Sequence, residues 1–271
     1  MFFNQFISTT NKNKKNLYIK TFFALFVFLS TINFAPNAHA DNKNLRFILT
    51  GHMYPIFSDE IRLNNFLKKI NSHNPDILFI LGDSNLHKID ELKKIKSKIK
   101  AKIFFSPGNQ ELLPENVDNY LSNIGYLNKT VIKNDIRFII LNSSEKKSNI
   151  ITYLNENLKN DNKTNLILTH HRIWDDSIID KESYSHDKSF YFEDIYPIIN
   201  GKVKAIFAGN SKRQYFRDLN DHGGYGKQNV NLIYWMDKIG SIGLYSIGMG
   251  DGRPKATFTI VDVVDDKIIV N

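Results

Sequence analysis

Short apolar runs alternate along this chain with segments whose apolar positions recur at helical spacing. "LRFILTG" predicts a strand. "DEIRLNNFLKKINSH" follows, with Ile61, Leu63, Phe66, Leu67 and Ile70 on one helical face. "DILFILG" predicts a second strand, "KIDELKKIKSKIK" a helix and "AKIFFSPG" a third strand. "LPENVDNYLSNIG" predicts a helix with Pro114 near its start, and "TVIKNDIRFIILNS" a hairpin turning at Asn134 and Asp135. "NIITYLNENLKND" reads as a helix, "TNLILTH" as a strand, and residues from Arg172 to about Phe192 as irregular. "VKAIFAG" is a further strand, and the tail segments "NLIYWM", "IGLYSIGMG" and "KATFTIVDVVDDKIIV" are all strand-like. Strand–helix alternation followed by β-rich segments predicts an α/β fold of mixed type, a sheet with helices outside and a second sheet packed against it. No repeat and no internal domain boundary is visible.

The first forty residues fit no part of that pattern. Lys12, Lys14, Lys15 and Lys20 stand there without any acid, and the apolar stretch "TFFALFVFLSTINFA" follows. Ala38-His39-Ala40 then places small residues at −3 and −1 of a cleavage site. Residues 1–40 are therefore expected to be a secretory signal peptide, and residues 41–271 a single exported domain, periplasmic or secreted. The fifteen-residue apolar stretch is short against the roughly 20 residues that span a bilayer, and no second such run appears. No membrane span is expected after cleavage.

Composition narrows the partners. The formal charge of +8 falls to +4 without the four leader lysines. A weak positive charge among many acids does not point to nucleic acid, and runs such as "KKIKSKIKAK" fit the solvated face of a helix. With no cysteine, an exported chain has neither a disulfide framework nor a thiol site.

Chemically capable residues gather where strands end. Thr50, Gly51 and His52 follow the first strand; Gly82, Asp83 and Ser84 the second; Gly108, Asn109, Gln110 and Glu111 the third. His170 and His171 follow "NLILT", and Gly209, Asn210, Ser211 and Lys212 follow "AIFA". Loops beyond the carboxyl ends of strands form the ligand crevice of α/β sheets, so five strand ends converge on one place.

In order and type, "TGH", "GD", "GNQE", "THH" and "GNSK" resemble the motifs of the calcineurin-like metallophosphoesterases, among them the purple acid phosphatase and periplasmic phosphodiesterase branches. "YSIGMGDGRP" resembles the glycine-rich strand end after the last motif, so the likeness covers nearly all of residues 41–271. The resemblance implies a four-layer αββα sandwich of two facing mixed sheets. It also implies two divalent ions about 3.5–4 Å apart that activate water and clamp phosphoryl oxygens. Asp83 would bridge them, His52 would lie on the first ion, and Asn109 and His170 on the second. Imidazole, carboxylate and amide oxygen suit manganese, iron or zinc better than calcium.

Four positions depart from the motifs. Thr50 replaces the first Asp, Gln110 the histidine offered to the leaving group, and Asn210 and Lys212 the last two histidines. The first ion site is thereby weakened most, and the second could hold one metal. Gln110 can hydrogen-bond a phosphate but cannot give a proton as an imidazolium does. Lys212 and Arg213, with His171, would make an anion pocket for substrate. His186, Asp187 and Asp251 could supply replacement ligands, and Trp174 rather than Trp235 could line the cleft. The expected function is a phosphomonoester or phosphodiester hydrolase using one or two divalent metals on a small phosphorylated substrate. One alternative is a non-catalytic protein that holds an anionic or sugar-phosphate ligand and needs no metal. A second is a Gly-Asp-Ser esterase with Ser84 as nucleophile and Asp221 and His222 as acid–base candidates.

Overall fold

The computed structural model describes residues 44–174, 190–209, 234–247 and 257–271. The expected leader therefore lies outside the described residues, as do Asn210, Lys212, Arg213, His186, Asp187, Asp221, His222 and Asp251.

Two mixed sheets face each other. The first has the order β11-β10-β1-β2-β3 and the second β4-β5-β6-β7-β9-β8. The strands are β1 (Leu45–Thr50), β2 (Ile77–Leu81), β3 (Lys102–Ser106), β4 (Lys129–Lys133), β5 (Ile136–Leu141), β6 (Thr164–Thr169), β7 (Val203–Ala208), β8 (Tyr234–Ile239), β9 (Ile242–Ile247), β10 (Thr259–Val264) and β11 (Lys267–Val270). β1, β2 and β3 run parallel, with Phe47 opposite Ile77 and Phe79 opposite Phe104. β5, β6, β7 and β9 also run parallel, while β4, β8, β10 and β11 pair antiparallel.

The apolar runs are continuous because both faces of the central strands are covered. In β1, Leu45, Phe47 and Leu49 enter the layer between the sheets, and Ile48 points to the helices. In β5, Ile136, Phe138 and Ile140 enter the same layer, and Ile139 and Leu141 face the opposite helices. Phe47 sits at the middle of that layer, edge-on to Phe79, Phe138 and Phe207 at 5.8, 5.1 and 6.1 Å. Helices α1 (Glu60–Ser72), α2 (Ile89–Lys98) and α3 (Val117–Ile124) cover the first sheet through Leu63, Phe66, Leu67, Leu92, Ile95 and Tyr120. α4 (Lys147–Asn157) and the single turn α5 (Tyr196–Ile199) cover the second. The result is the αββα order that the sequence resemblance implies. Among the described residues no helix is long and apolar enough to cross a membrane.

Two turns show how local sequence sets the edges. Asn134 and Asp135 take φ of 48° and 58° between β4 and β5, the left-handed pair that suits a tight hairpin. Asp265 and Asp266, at 47° and 62°, do the same between β10 and β11. That second turn splits the strand-like tail into a hairpin. The segment Phe190–Ile195, whose first residues fall at the end of the expected irregular region, forms a wide helical turn that runs into α5.

One buried charge braces the second sheet. Arg137 of β5 is 4% exposed, and its guanidinium donates to both oxygens of Asp161 and to Asn165. Those hydrogen bonds hold the Asp161 carboxyl down to about 2 from an ordinary 3.8. A depressed carboxylate stabilises fully above its unfolded pKa and loses that contribution as pH falls through the folded one. Urea unfolding should therefore show an acid-side loss of stability between about pH 4 and pH 2 that the Asp161→Asn variant lacks.

Candidate metal centre

The strand ends meet at closer than side-chain distance. Gly82, after β2, has φ of 76°, and a Cβ there would stand 2.3 Å from Nδ1 of His170. A Cβ on Gly209, after β7, would stand 2.1 Å from the Leu81 carbonyl oxygen. Glycine is thus required at both positions, and the first sheet touches the second through them.

The loops beyond those ends are bent into left-handed backbone. His52, Asp83 and Asn85 take φ of 49°, 48° and 54°, each costing of order 1–2 kcal/mol for a residue with a Cβ. Hydrogen bonds hold them there. The His52 N–H donates to the Gly82 carbonyl at 2.9 Å, and the Tyr54 N–H to the Asp83 carbonyl at 3.2 Å.

Glu111 holds the turn from beneath. It is fully buried, and its carboxylate accepts four main-chain N–H groups. Oε2 takes those of Asp83 (2.8 Å) and Gly108 (2.9 Å), and Oε1 those of Ser84 (2.8 Å) and Leu86 (3.3 Å). The successive N–H groups of the bent turn form a concave donor nest, filled here by the chain's own anion. The sequence showed Glu111 only as the last letter of "GNQE". Its task became visible once the backbone direction at residues 83–86 was known.

The side chain of Asp83 is then the centre of a cluster. His52 Nε2 lies 3.1 Å and His170 Nε2 3.4 Å from its Oδ2, and the three donor atoms lie within 4.8 Å of one another. The two imidazoles stack at 5.4 Å, 18° from parallel. Asp83 Oδ1 accepts the Gln110 N–H at 3.1 Å. The Asn109 side-chain amide faces the same carboxylate, and with its NH2 turned inward it donates at 3.1 and 3.3 Å. With its oxygen inward, two oxygens oppose each other and a cation must lie between them.

The ring of His170 is oriented from behind. Its Nδ1–H donates to the Leu81 carbonyl at 2.9 Å. In the neutral ring that contact leaves the lone pair on Nε2, the arrangement in which metal-ligating histidines are held. Burial lowers the His170 pKa, but the charge and hydrogen bond of Asp83 raise it by more. Burial raises the Asp83 carboxyl, and the His170 and His52 imidazoles overcome that and hold it well below the usual carboxylate range.

The donor set fits a divalent ion. Ligands about 2.1 Å from one ion stand roughly 3.0–3.4 Å apart, the separations seen at Asp83 Oδ2. Neither ring nitrogen of His52 has a hydrogen-bond partner among the described residues, although Nε2 stands beside a carboxylate oxygen. An imidazole nitrogen without a hydrogen bond beside a carboxylate oxygen is the geometry of two ligands that could share a cation.

Other expected residues fall as follows. Thr50 is fully buried and its hydroxyl donates to the Thr257 carbonyl at 3.3 Å. Gln110 is exposed, and its carbonyl accepts from the Asn116 side chain at 2.8 Å. His171 is 3% exposed. Ser143 Oγ lies 2.9 Å from its Nδ1 and accepts its N–H at 3.1 Å, and its ring packs edge-on to His170 at 4.5 Å. Trp174 is 4% exposed and belongs with Leu154 and Ile195 to the apolar core beside α4. The Ser84 nucleophile is corrected. Ser84 is fully buried, its Oγ accepts the Met53 N–H at 3.1 Å and donates to the Gly82 carbonyl at 2.9 Å. A hydroxyl so committed holds the turn and is closed to an ester.

No family model matches the chain, and no curated protein matches it. Solved structures do match. A dimetal phosphatase from Danio rerio superimposes with a TM-score of 0.55 at 9% identity, over 84% of this chain and 95% of that one. The Haemophilus influenzae NAD nucleotidase gives 0.47 at 12% identity, over 84% of this chain and 49% of that one. At such identity the likeness to the phosphatase establishes the fold.

Three variants test the turn. Replacing Glu111 with Ala should lower the unfolding free energy by at least about 3 kcal/mol, since hydrogen bonds to a charged acceptor contribute about 1.5–3 kcal/mol each; Glu111→Gln should fall between. Gly82→Ala should destabilise through the clash with His170. A urea midpoint unmoved by Glu111→Ala would refute the clamp.

Proposed function

We propose that the chain is a metal-dependent phosphoester hydrolase whose metal ligands are His52, Asp83, Asn109 and His170. One observation carries the reading. Two imidazole Nε2 atoms meet one oxygen of a buried carboxylate at the carboxyl ends of β1, β2 and β6, on a metallophosphoesterase-like fold. A divalent ion there, manganese, iron or zinc by donor type, would polarise phosphoryl oxygens and lower the pKa of an attacking water.

The chain's own residues do the rest. Asp83 keeps its negative charge where the ion must sit. Leu81 and Glu111 fix the His170 ring and the Asp83 backbone. Gln110, exposed beside the site, offers an amide to a phosphoryl oxygen and no acidic proton. Lys212 and Arg213 supply positive charge to the anion in this reading, on sequence grounds alone. The leader-like residues 1–40 support action outside the cytoplasm. N-terminal sequencing from a secretion-competent host should then find a start at Asp41.

A non-catalytic reading, a cleft that only holds an anionic ligand, is favoured by Thr50. Its hydroxyl is turned to the Thr257 carbonyl where the resembled motif has a metal-binding carboxylate. Turnover decides between the two. Protein loaded with manganese, iron or zinc should hydrolyse p-nitrophenyl phosphate or its bis-aryl diester, and Asp83→Ala should cut the rate by about 10³-fold or more. Absence of turnover on both substrates under all three metals would leave the binding reading.

A further inference from the structure

We propose that this cleft seats one metal ion and not two, held on Asp83 Oδ2 between His52 and His170. The ion would draw one imidazole from each of the two sites that the sequence resemblance implies. The inference rests on the metal-dependent reading above and adds to it the number and place of the ion.

Ligand supply comes first. A site for the first ion would need a donor set of its own. Among the described residues, only His52 of that set remains beside the shared Asp83. Thr50 brings a hydroxyl instead of a carboxylate, and that hydroxyl is spent on the Thr257 carbonyl. Asn210 and Lys212 bring no imidazole, and an ammonium is no ligand. Two donors hold a divalent ion poorly in water.

Geometry then says what His52 does. Its Nε2 is not turned away as a leftover. It lies 3.1 Å from the same carboxylate oxygen that His170 Nε2 approaches at 3.4 Å, without a hydrogen bond of its own. The left-handed backbone at His52 is strained to bring it there. Asp83 Oδ1 is tied to the Gln110 N–H, so Oδ2 is the oxygen that faces both rings. With the Asn109 amide oxygen turned inward, the set becomes two imidazoles, one carboxylate and one amide oxygen. That is a full tetrahedral complement, or an octahedral one with two places for water and substrate.

Metal stoichiometry and the effect of His52 test this. Elemental analysis after loading with manganese, cobalt or zinc should give one ion per chain. The cobalt or manganese protein should show the electron paramagnetic resonance of an isolated, uncoupled ion. His52→Ala, a half-buried site whose replacement leaves the cores intact, should weaken zinc binding by about 100-fold or more in titration calorimetry. Removing an outer partner alone costs about 10–100-fold. His170→Ala should do the same. Two ions per chain, a spin-coupled spectrum, or a His52→Ala protein that binds with unchanged affinity would overturn the proposal while leaving the hydrolase reading intact. One ion without phosphoester turnover would uphold it and sink the hydrolase reading. No bound ion under any loading would sink both.

Discussion

A single buried carboxylate sets the shape of this site. Glu111 sits under the turn after β2 and takes the N–H groups of Asp83, Ser84, Leu86 and Gly108. Those groups belong to two loops, one beyond β2 and one beyond β3. Without an acceptor they would be buried and unpaired, at a cost of about 1–3 kcal/mol each. With it, the backbone can hold Asp83 in a left-handed conformation that its own side chain disfavours. The side chain of Asp83 then points away from the clamp and toward the histidines. The glycine contact of Gly82 with His170 serves the same end from the other sheet, because the ring of His170 fits only where a Cβ is missing.

The layered fold was readable because its physics is periodic. Strands covered on both faces give unbroken apolar runs, and helices against them give apolar stripes. Both patterns are visible at Phe47–Leu49 and at Leu63–Ile70 without coordinates. The positions of His52, Asp83, Asn109 and His170 were readable for a related reason, since strand ends carry the crevice. What stayed hidden depends on direction. Whether His170 offers Nε2 or Nδ1 is decided by the Leu81 carbonyl. Whether Ser84 is a nucleophile or a brace is decided by the Met53 N–H. Whether Glu111 is a ligand or a clamp is decided by four N–H vectors. Sequence spacing contains none of these. The short turn α5 was hidden too, because four residues are too few to show a period.

Ser84 illustrates how the two levels interact. "GDS" after a strand satisfies the letters of two chemistries. Only the burial of the serine hydroxyl and its two backbone partners separates them. The same turn that disables Ser84 presents Asp83, since the hydroxyl donates to the Gly82 carbonyl and so helps fix the bend.

The charge balance at Asp83 shows why fold and metal are separable here. A buried carboxylate needs a counter-charge, and His170 can supply it as a proton held between them. An ion on Oδ2 would take the place of that proton, so either would satisfy the same anion. The core layers, the Arg137 brace and the Glu111 clamp do not pass through the ion at all. A chain built this way would fold without the ion, unlike small metal-folded domains. Strain at His52 and Asp83 therefore has no purpose in stability. It brings the His52 and Asp83 side chains to one point beside His170, as expected where strain is held at a site rather than in a packed core.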